Sequence, residues 1–210
     1  MLISAEIRWF WHKRPAPGID DWFLRSDVHP CAAGGGMTRV DRYLRNPCQG
    51  ELGIKRRGGV PGIEVKGLVK VTWGGLTADP FSGPVELWAK WTVESLELEM
   101  DALIAVEKRR WLRKFDTTDP LPREVPMDEE GMPPAGRPLP VAGCNVELTR
   151  VGLSNGDIWW TLGFEAFGTI MTAERDLRTT AKALADRRPP SLAGGLLASY
   201  PGWLDKHAAR

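Results

Sequence analysis

Cysteine is scarce in this chain of 210 residues, and what there is does not organise it. Cys31, Cys48 and Cys144 are an odd number without Cys-x-x-Cys or finger-like spacing, which excludes a disulfide framework and fits reduced thiols in a cytoplasm. Histidine is as sparse. His12, His29 and His207 lie far apart with no ligand-type partners at metal spacing, which argues against zinc, and "HPC" at 29–31 reads as loop. No charge of one sign prevails, because 28 basic residues meet 27 acidic ones for a formal charge of +1. Without a global field the chain has no case for nucleic acid or an anionic membrane as partner, and any charge logic must be local. No apolar run approaches the ~18 residues of a membrane span. The opening "MLISAEIRWFW" has neither a basic start nor a small-residue cleavage site, so the expected location is cytoplasmic. Also missing are Gly-x-Ser-x-Gly, the phosphate-loop Gly-x-x-x-x-Gly-Lys-Ser/Thr and a dinucleotide fingerprint; "AAGGGM" at 32–37 lacks the strand and helix that a phosphate loop needs and reads as a turn.

What is there is a β pattern. The length suits a single domain over 1–210. Strand-like segments fall at 3–12, 39–44, 51–57, 63–73, 85–93, 106–115, 144–151 and 157–167, parted by Gly, Pro, Asp and Asn. Ten tryptophans are present, and Trp9, Trp73, Trp91 and Trp111 sit within these runs, where large rings cover apolar surface. Two helices are expected. One is at 94–105, on the stripe Leu96, Met100, Leu103 and Ile104; the other is at 173–187, with Thr172 as N-cap, Glu174 in its first turn, Leu177, Ala181 and Leu184 on one face, and Pro189-Pro190 as a stop. From 116 to 140 proline, glycine and acidic residues predict a long exposed loop, and the helix and tail from 172 to 210 can cover the sheet or pair with a second copy as a homodimer.

The strands also repeat a charge pattern. Side chains alternate faces along a strand, so "GIEVKGLVKV" at 62–71 places Glu64, Lys66, Leu68 and Lys70 on one side. For one strand this is an ordinary solvated face. The pattern recurs, however: Glu6 with Arg8, Lys55 with Arg57, Glu86 with Lys90, Lys108 with Arg110, then Glu147 and Glu165 on later strands. The opposite faces are apolar and need covering. A closed or nearly closed barrel removes the sheet edges, and its interior can be polar if it holds a charged ligand. Seven bases (Arg8, Lys55, Arg57, Lys66, Lys90, Lys108, Arg110) and five acids (Glu6, Glu64, Glu86, Glu147, Glu165) would then line a tunnel. Bases grip phosphate oxygens and carboxylates hold a hard cation, so the mixture suits a phosphorylated ligand with a divalent metal.

These pieces, in this order, resemble the CYTH or triphosphate tunnel superfamily, which includes class IV adenylyl cyclases, thiamine triphosphatases and inorganic triphosphatases. "AEIRWF" stands where that family opens with Glu-x-Glu-x-Lys, "VDRYL" is similar to its second strand, "LGIKRR" to its Leu-Arg-x-Arg strand and "IEVKG" to its ligand-gripping lysine strand. "VEKRRWL" is similar to its Lys-x-Arg strand, and "TLGFEAFG" to the late strand that ends in Glu-x-Glu before a terminal helix. The resemblance implies a mainly β fold with helical additions, about eight antiparallel strands in a tunnel barrel, and a small phosphorylated ligand held by Arg8, Lys55, Arg57, Lys66, Lys90, Lys108 and Arg110. It implies Mg or Mn held by Glu6, Glu147 and Glu165, with a metal-positioned water attacking the terminal phosphorus. Two departures bear on catalysis: Arg8 and Phe10 replace the second glutamate and the lysine of the first strand, and Phe167 replaces a late glutamate. Two alternatives therefore stand beside a phosphohydrolase: a non-catalytic phosphate binder, and a barrel for an apolar ligand or protein partner with its tryptophans inside and charges outside.

Overall fold

A computed structural model describes residues 1–25, 36–45, 50–94, 96, 98–99, 103–128, 132–133, 136 and 138–207. In chain order it contains β1 (Leu2–His12), α1 (Ile19–Leu24), β2 (Met37–Leu44), β3 (Leu52–Arg56), β4 (Ile63–Val71), β5 (Leu76–Ala78), β6 (Phe81–Gly83) and β7 (Glu86–Val93). There follow β8 (Leu103–Asp116), β9 (Arg123–Val125), β10 (Gly143–Leu153), β11 (Ile158–Gly168), α2 (Ala173–Ala185), β12 (Leu196–Leu197) and α3 (Tyr200–His207).

Eight strands run β10-β11-β1-β7-β4-β3-β2-β8, and β8 pairs back onto β10, so the antiparallel sheet closes into a barrel. Closure satisfies every edge, which a twisted sheet of this size would otherwise expose. Short β9 extends the ladder beside the end of β8, and β12 pairs Trp9 and Phe10 where β7, which reaches only to Glu6, leaves β1 free.

The two faces of β1 show how the barrel is layered. Ala5, Ile7, Trp9 and Trp11 point outward and are buried beneath α2, α1 and the β5–β6 hairpin. Glu6, Arg8 and Phe10 point inward and are buried as well. Ala173, Leu177, Ala181 and Leu184 of α2 are fully buried against the barrel wall. At about 1.5–3 kcal/mol for each buried large aliphatic side chain, this stripe fixes the helix on the sheet.

Inside, one end of the barrel is apolar and closed. Phe10, Val106, Val151 and Trp159 meet Trp203 and Leu204 of α3, and Trp203 stacks on Phe10 with ring centres 4.9 Å apart and planes at 10°. Helix α3 thus fills that end of the barrel with apolar rings, next to the charged half of the interior.

Four expectations need correction. The described residues of the helix expected at 94–105 are not helical: Glu94, Leu96, Leu98 and Glu99 are irregular and Leu103–Ala105 open β8, because pairing with Leu44, Tyr43 and Arg42 of β2 gives those last residues a ladder that the helical stripe cannot offer. Lys70 does not share the Glu64 and Lys66 face, since a bulge between Leu68 and Lys70 sets Lys70 opposite Leu87 and Val71 opposite Glu86. Trp73 lies beyond β4 and is 95% exposed, covering nothing. The exposed loop expected at 116–140 carries β9, whose Glu124 is held by Arg113 at 2.6 Å and Arg187 at 2.7 Å. Thr172 occupies the N-cap of α2 as expected, with its hydroxyl 3.2 Å from that of Thr169 in place of a side-chain capping bond. The readings of "HPC", of residues 32–35 and of Cys48 fall outside the described residues, while Cys144 is buried behind α2, where burial pushes its thiol far up. Among the described residues no helix is long and apolar enough to cross a membrane.

Candidate functional site

The charged half of the barrel encloses a chamber of about 170 Å³. Eleven of the twelve charged residues singled out from the sequence line it: Glu6 and Arg8 from β1, Lys55 from β3 with Arg57 just beyond it, Glu64 and Lys66 from β4, Lys90 from β7, Lys108 and Arg110 from β8, Glu147 from β10 and Glu165 from β11. Alternation delivers them, because every barrel strand turns each second residue inward. Glu86 does not line the chamber; its carboxylate accepts a bond from Trp88 Nε1 at 3.0 Å. Burial pushes Glu86 up, and the charge of Glu6, its cross-strand neighbour, adds to that.

Seven lining residues escaped the sequence reading: Arg39 and Tyr43 on β2, Gly53 on β3, Asn145 and Thr149 on β10, and Tyr200 and Pro201 on α3. Between Arg39 and Tyr43 on the same inward face, and covered by the lining, is Asp41, with no exposure at all. Arg39, Asp41 and Tyr43 follow the same period-two rule, so "TRVDRYL" carried the signal; Tyr200 had none, being placed by the fold of the tail.

The chamber holds eight basic and four acidic side chains. Each carboxylate is engaged by cations. Glu147 takes Arg110 at 2.8 Å and Arg8 at 3.1 Å, Glu64 takes Lys55 at 2.9 Å, Glu165 takes Lys90 at 3.5 Å, and Glu6 takes the Lys66 ammonium together with the Ser4 hydroxyl at 2.6 Å. Burial alone would raise the Glu147 carboxyl, but Arg110 and Arg8 outweigh it and hold the group far below the usual carboxylate range. Glu6 and Glu64 are lowered against burial in the same way, by Lys66 and by Lys55 respectively. Arg57 forms no ion pair among the described residues.

Arg8 is fixed on every side. Its guanidinium donates to Thr161 Oγ1 at 2.9 Å and to Glu147 at 3.1 Å, and lies 4.8 Å from the Tyr200 ring centre. Lys108 donates to the Tyr43 hydroxyl at 2.6 Å and sits 3.8 Å over the Tyr200 ring. Tyr200 is therefore the floor of the chamber, where the charged half meets the apolar rings of α3.

Do these residues fit a divalent metal? Among the described residues no three His, Cys, Asp or Glu side chains are grouped to hold one, and Glu6, Glu147 and Glu165 are each turned to a cation instead. A magnesium ion needs several oxygens converging at ~2.1 Å, and an arginine seated on one of them opposes it. As arranged, the three carboxylates are counter-ions and not a metal site. The side-chain directions are also unlike those of an apolar-ligand barrel with outward charges: Lys66 points into the chamber, while Trp91 is 41% exposed. The sequence matches no protein-family model, and no curated protein matches it.

Proposed function

We propose that the chamber binds a small phosphorylated polyanion through its side-chain cations, without a resident metal. The observation that carries this reading is the excess of positive charge in the barrel cavity, eight cations against four carboxylates. In such a site ammonium and guanidinium groups are already positioned and partly desolvated, so their bonds to phosphate oxygens are stronger than at an open surface. The chamber is smaller than the ~300–1,000 Å³ typical of sites for drug-sized ligands, which favours a compact run of phosphates inside, with any organic part of the ligand outside. The resemblance to the CYTH superfamily points to the same ligand chemistry, and the ten side chains it implicates are the ones gathered here.

A second reading, hydrolysis of a triphosphate with Mg or Mn, rests on that resemblance and on the convergence of Glu6, Glu147 and Glu165 on one cavity. It requires those carboxylates to exchange their cation partners for a metal. A thermal-shift panel of tripolyphosphate, ATP and a fatty acid, each with magnesium and with EDTA, separates the readings, since a ligand that binds the native state raises its melting temperature. Metal-free binding requires a shift with tripolyphosphate that survives EDTA. A shift that appears only with magnesium, accompanied by phosphate release, supports the hydrolase; a shift with the fatty acid alone overturns both.

A further inference from the structure

Asp41 lies on the inward face of β2, fully buried beneath the chamber lining, and three chamber cations converge on it. Its Oδ1 accepts a bond from Arg39 Nε at 3.0 Å, and its Oδ2 lies 3.2 Å from Lys108 Nζ and 3.6 Å from Lys55 Nζ. The three come from β2, β8 and β3, so one carboxylate ties three strands' charges to one point. Left without it, Lys55 of β3 and Lys108 of β8 would face each other over β2, which lies between their strands and pairs with β3 only at Arg42–Arg56 and Tyr43–Lys55. We infer that Asp41 is a positioning residue, which holds Arg39, Lys55 and Lys108 together as a charged cradle aimed into the chamber. The inference rests on the polyanion-binding reading, and adds to it the residue on which the arrangement of three ligand-facing cations depends.

The chemistry supports a role for Asp41 apart from ligand contact. It does not line the cavity, and a carboxylate there would repel phosphate if it did. Burial favours the uncharged form of Lys108, and Lys55 opposes its charge too; Asp41 and Tyr43 work the other way, while the Tyr200 ring covers the ammonium from the floor. The same aspartate is held far below the usual carboxylate range, against burial, by Lys108, Lys55 and Arg39.

Asp41→Asn keeps the shape and adds one positive charge to the site, so the two explanations of Asp41 predict opposite signs. If it only dilutes positive charge, the variant binds tripolyphosphate more tightly. If it positions the cradle, the variant binds about tenfold more weakly, the loss of roughly one charge-assisted contact. The deficit relative to wild type then widens as pH rises, because Lys108, already lowered by burial, loses its proton more readily without Asp41. Calorimetric titration of the folded full chain with tripolyphosphate in EDTA reads this. Lysine Cε chemical shifts, followed through a pH titration with no ligand present, read the cradle directly: the Lys108 midpoint falls in Asp41→Asn. Equal or tighter binding, or an unmoved Lys108 midpoint, overturns the inference. Failure of wild type to bind tripolyphosphate overturns the binding reading instead, and the ligand-free titration still decides whether Asp41 holds the cradle.

Discussion

Arg8 and Gly163 face each other across the β1–β11 ladder, and the Arg8 guanidinium occupies the space that a side chain at 163 would need: a Cβ there would come within 2.4 Å of Arg8 Cζ. An arginine tip normally swings aside, but this one is held by Glu147, Thr161 and the Tyr200 ring. Gly163→Ala is therefore expected to cost about 1–3 kcal/mol, the range for overpacking a filled interior, and to weaken tripolyphosphate binding with it. Thermal melts and a binding titration check this; an alanine variant as stable as wild type would mean that Arg8 has room the geometry denies it.

Lys66 tests the ligand-facing wall. Its ammonium pairs with Glu6 and lies 4.8 Å from the Trp88 ring centre. Lys66→Ala is expected to reduce tripolyphosphate affinity by about 1.5–3 kcal/mol, the scale of one hydrogen bond to a charged group, with Lys66→Arg restoring part of it. Undiminished affinity in a variant that still melts cooperatively would remove Lys66 from the binding surface.

Acid should destabilise the barrel through its counter-ions. Glu147 and Asp41 both titrate far lower folded than unfolded, so their contribution is fully present above the unfolded values near pH 4 and fades as pH falls below them toward the folded ones. Glu147→Gln leaves Arg8 and Arg110 unmatched and is expected to cost about 3 kcal/mol at pH 7. The gap from wild type should narrow as pH drops from 5 to 2, because the unfolded wild-type glutamate takes up a proton there while the folded one, held by its arginines, does not. A gap constant over that range in denaturant titrations would show that Glu147 stabilises by shape and not by charge.

Much of this chamber was legible in the sequence because the rule that builds it is local. Period-two placement of Glu6 with Arg8, or Lys108 with Arg110, needs only that the segment be a strand, and closure then sends those faces to one place. What escaped was non-local. Leu103 and Ile104 fit a helical stripe until β2 is present to pair with them. The bulge that turns Lys70 away from Lys66 is an irregularity of pairing with β7, invisible in β4 alone. Tyr200 reaches Arg8 and Lys108 only because Trp203 anchors α3 on Phe10, 193 positions earlier in the chain, by a contact between two apolar rings that no spacing announces. The resemblance assigned Glu147 to a metal, whereas the fold gives it two arginines, and only the register that sets Arg8 and Glu147 on either side of Gly163 makes that visible.

Exchanging Arg8 for a carboxylate decides whether the arginine stands where a metal would otherwise be needed. Arg8→Glu restores a Glu-x-Glu spacing on one inward face of β1, and it also replaces the partner of Glu147 with a like charge in a buried setting. In EDTA the variant should be destabilised by about 3–5 kcal/mol, as when one member of a buried pair is removed. Magnesium or manganese should then raise its melting temperature, because three carboxylates brought together and no longer capped by the Arg8 guanidinium form an oxygen-rich site of the kind those ions take. Wild type, with Arg8 and Arg110 on Glu147, should show no such rise from the metal alone. Tripolyphosphate binding in EDTA should be weaker in the variant, since a cation has become an anion. If instead the native protein hydrolyses tripolyphosphate only with metal, and Arg8→Glu abolishes that turnover, then Arg8 serves the reaction itself and the metal-free reading of the chamber falls.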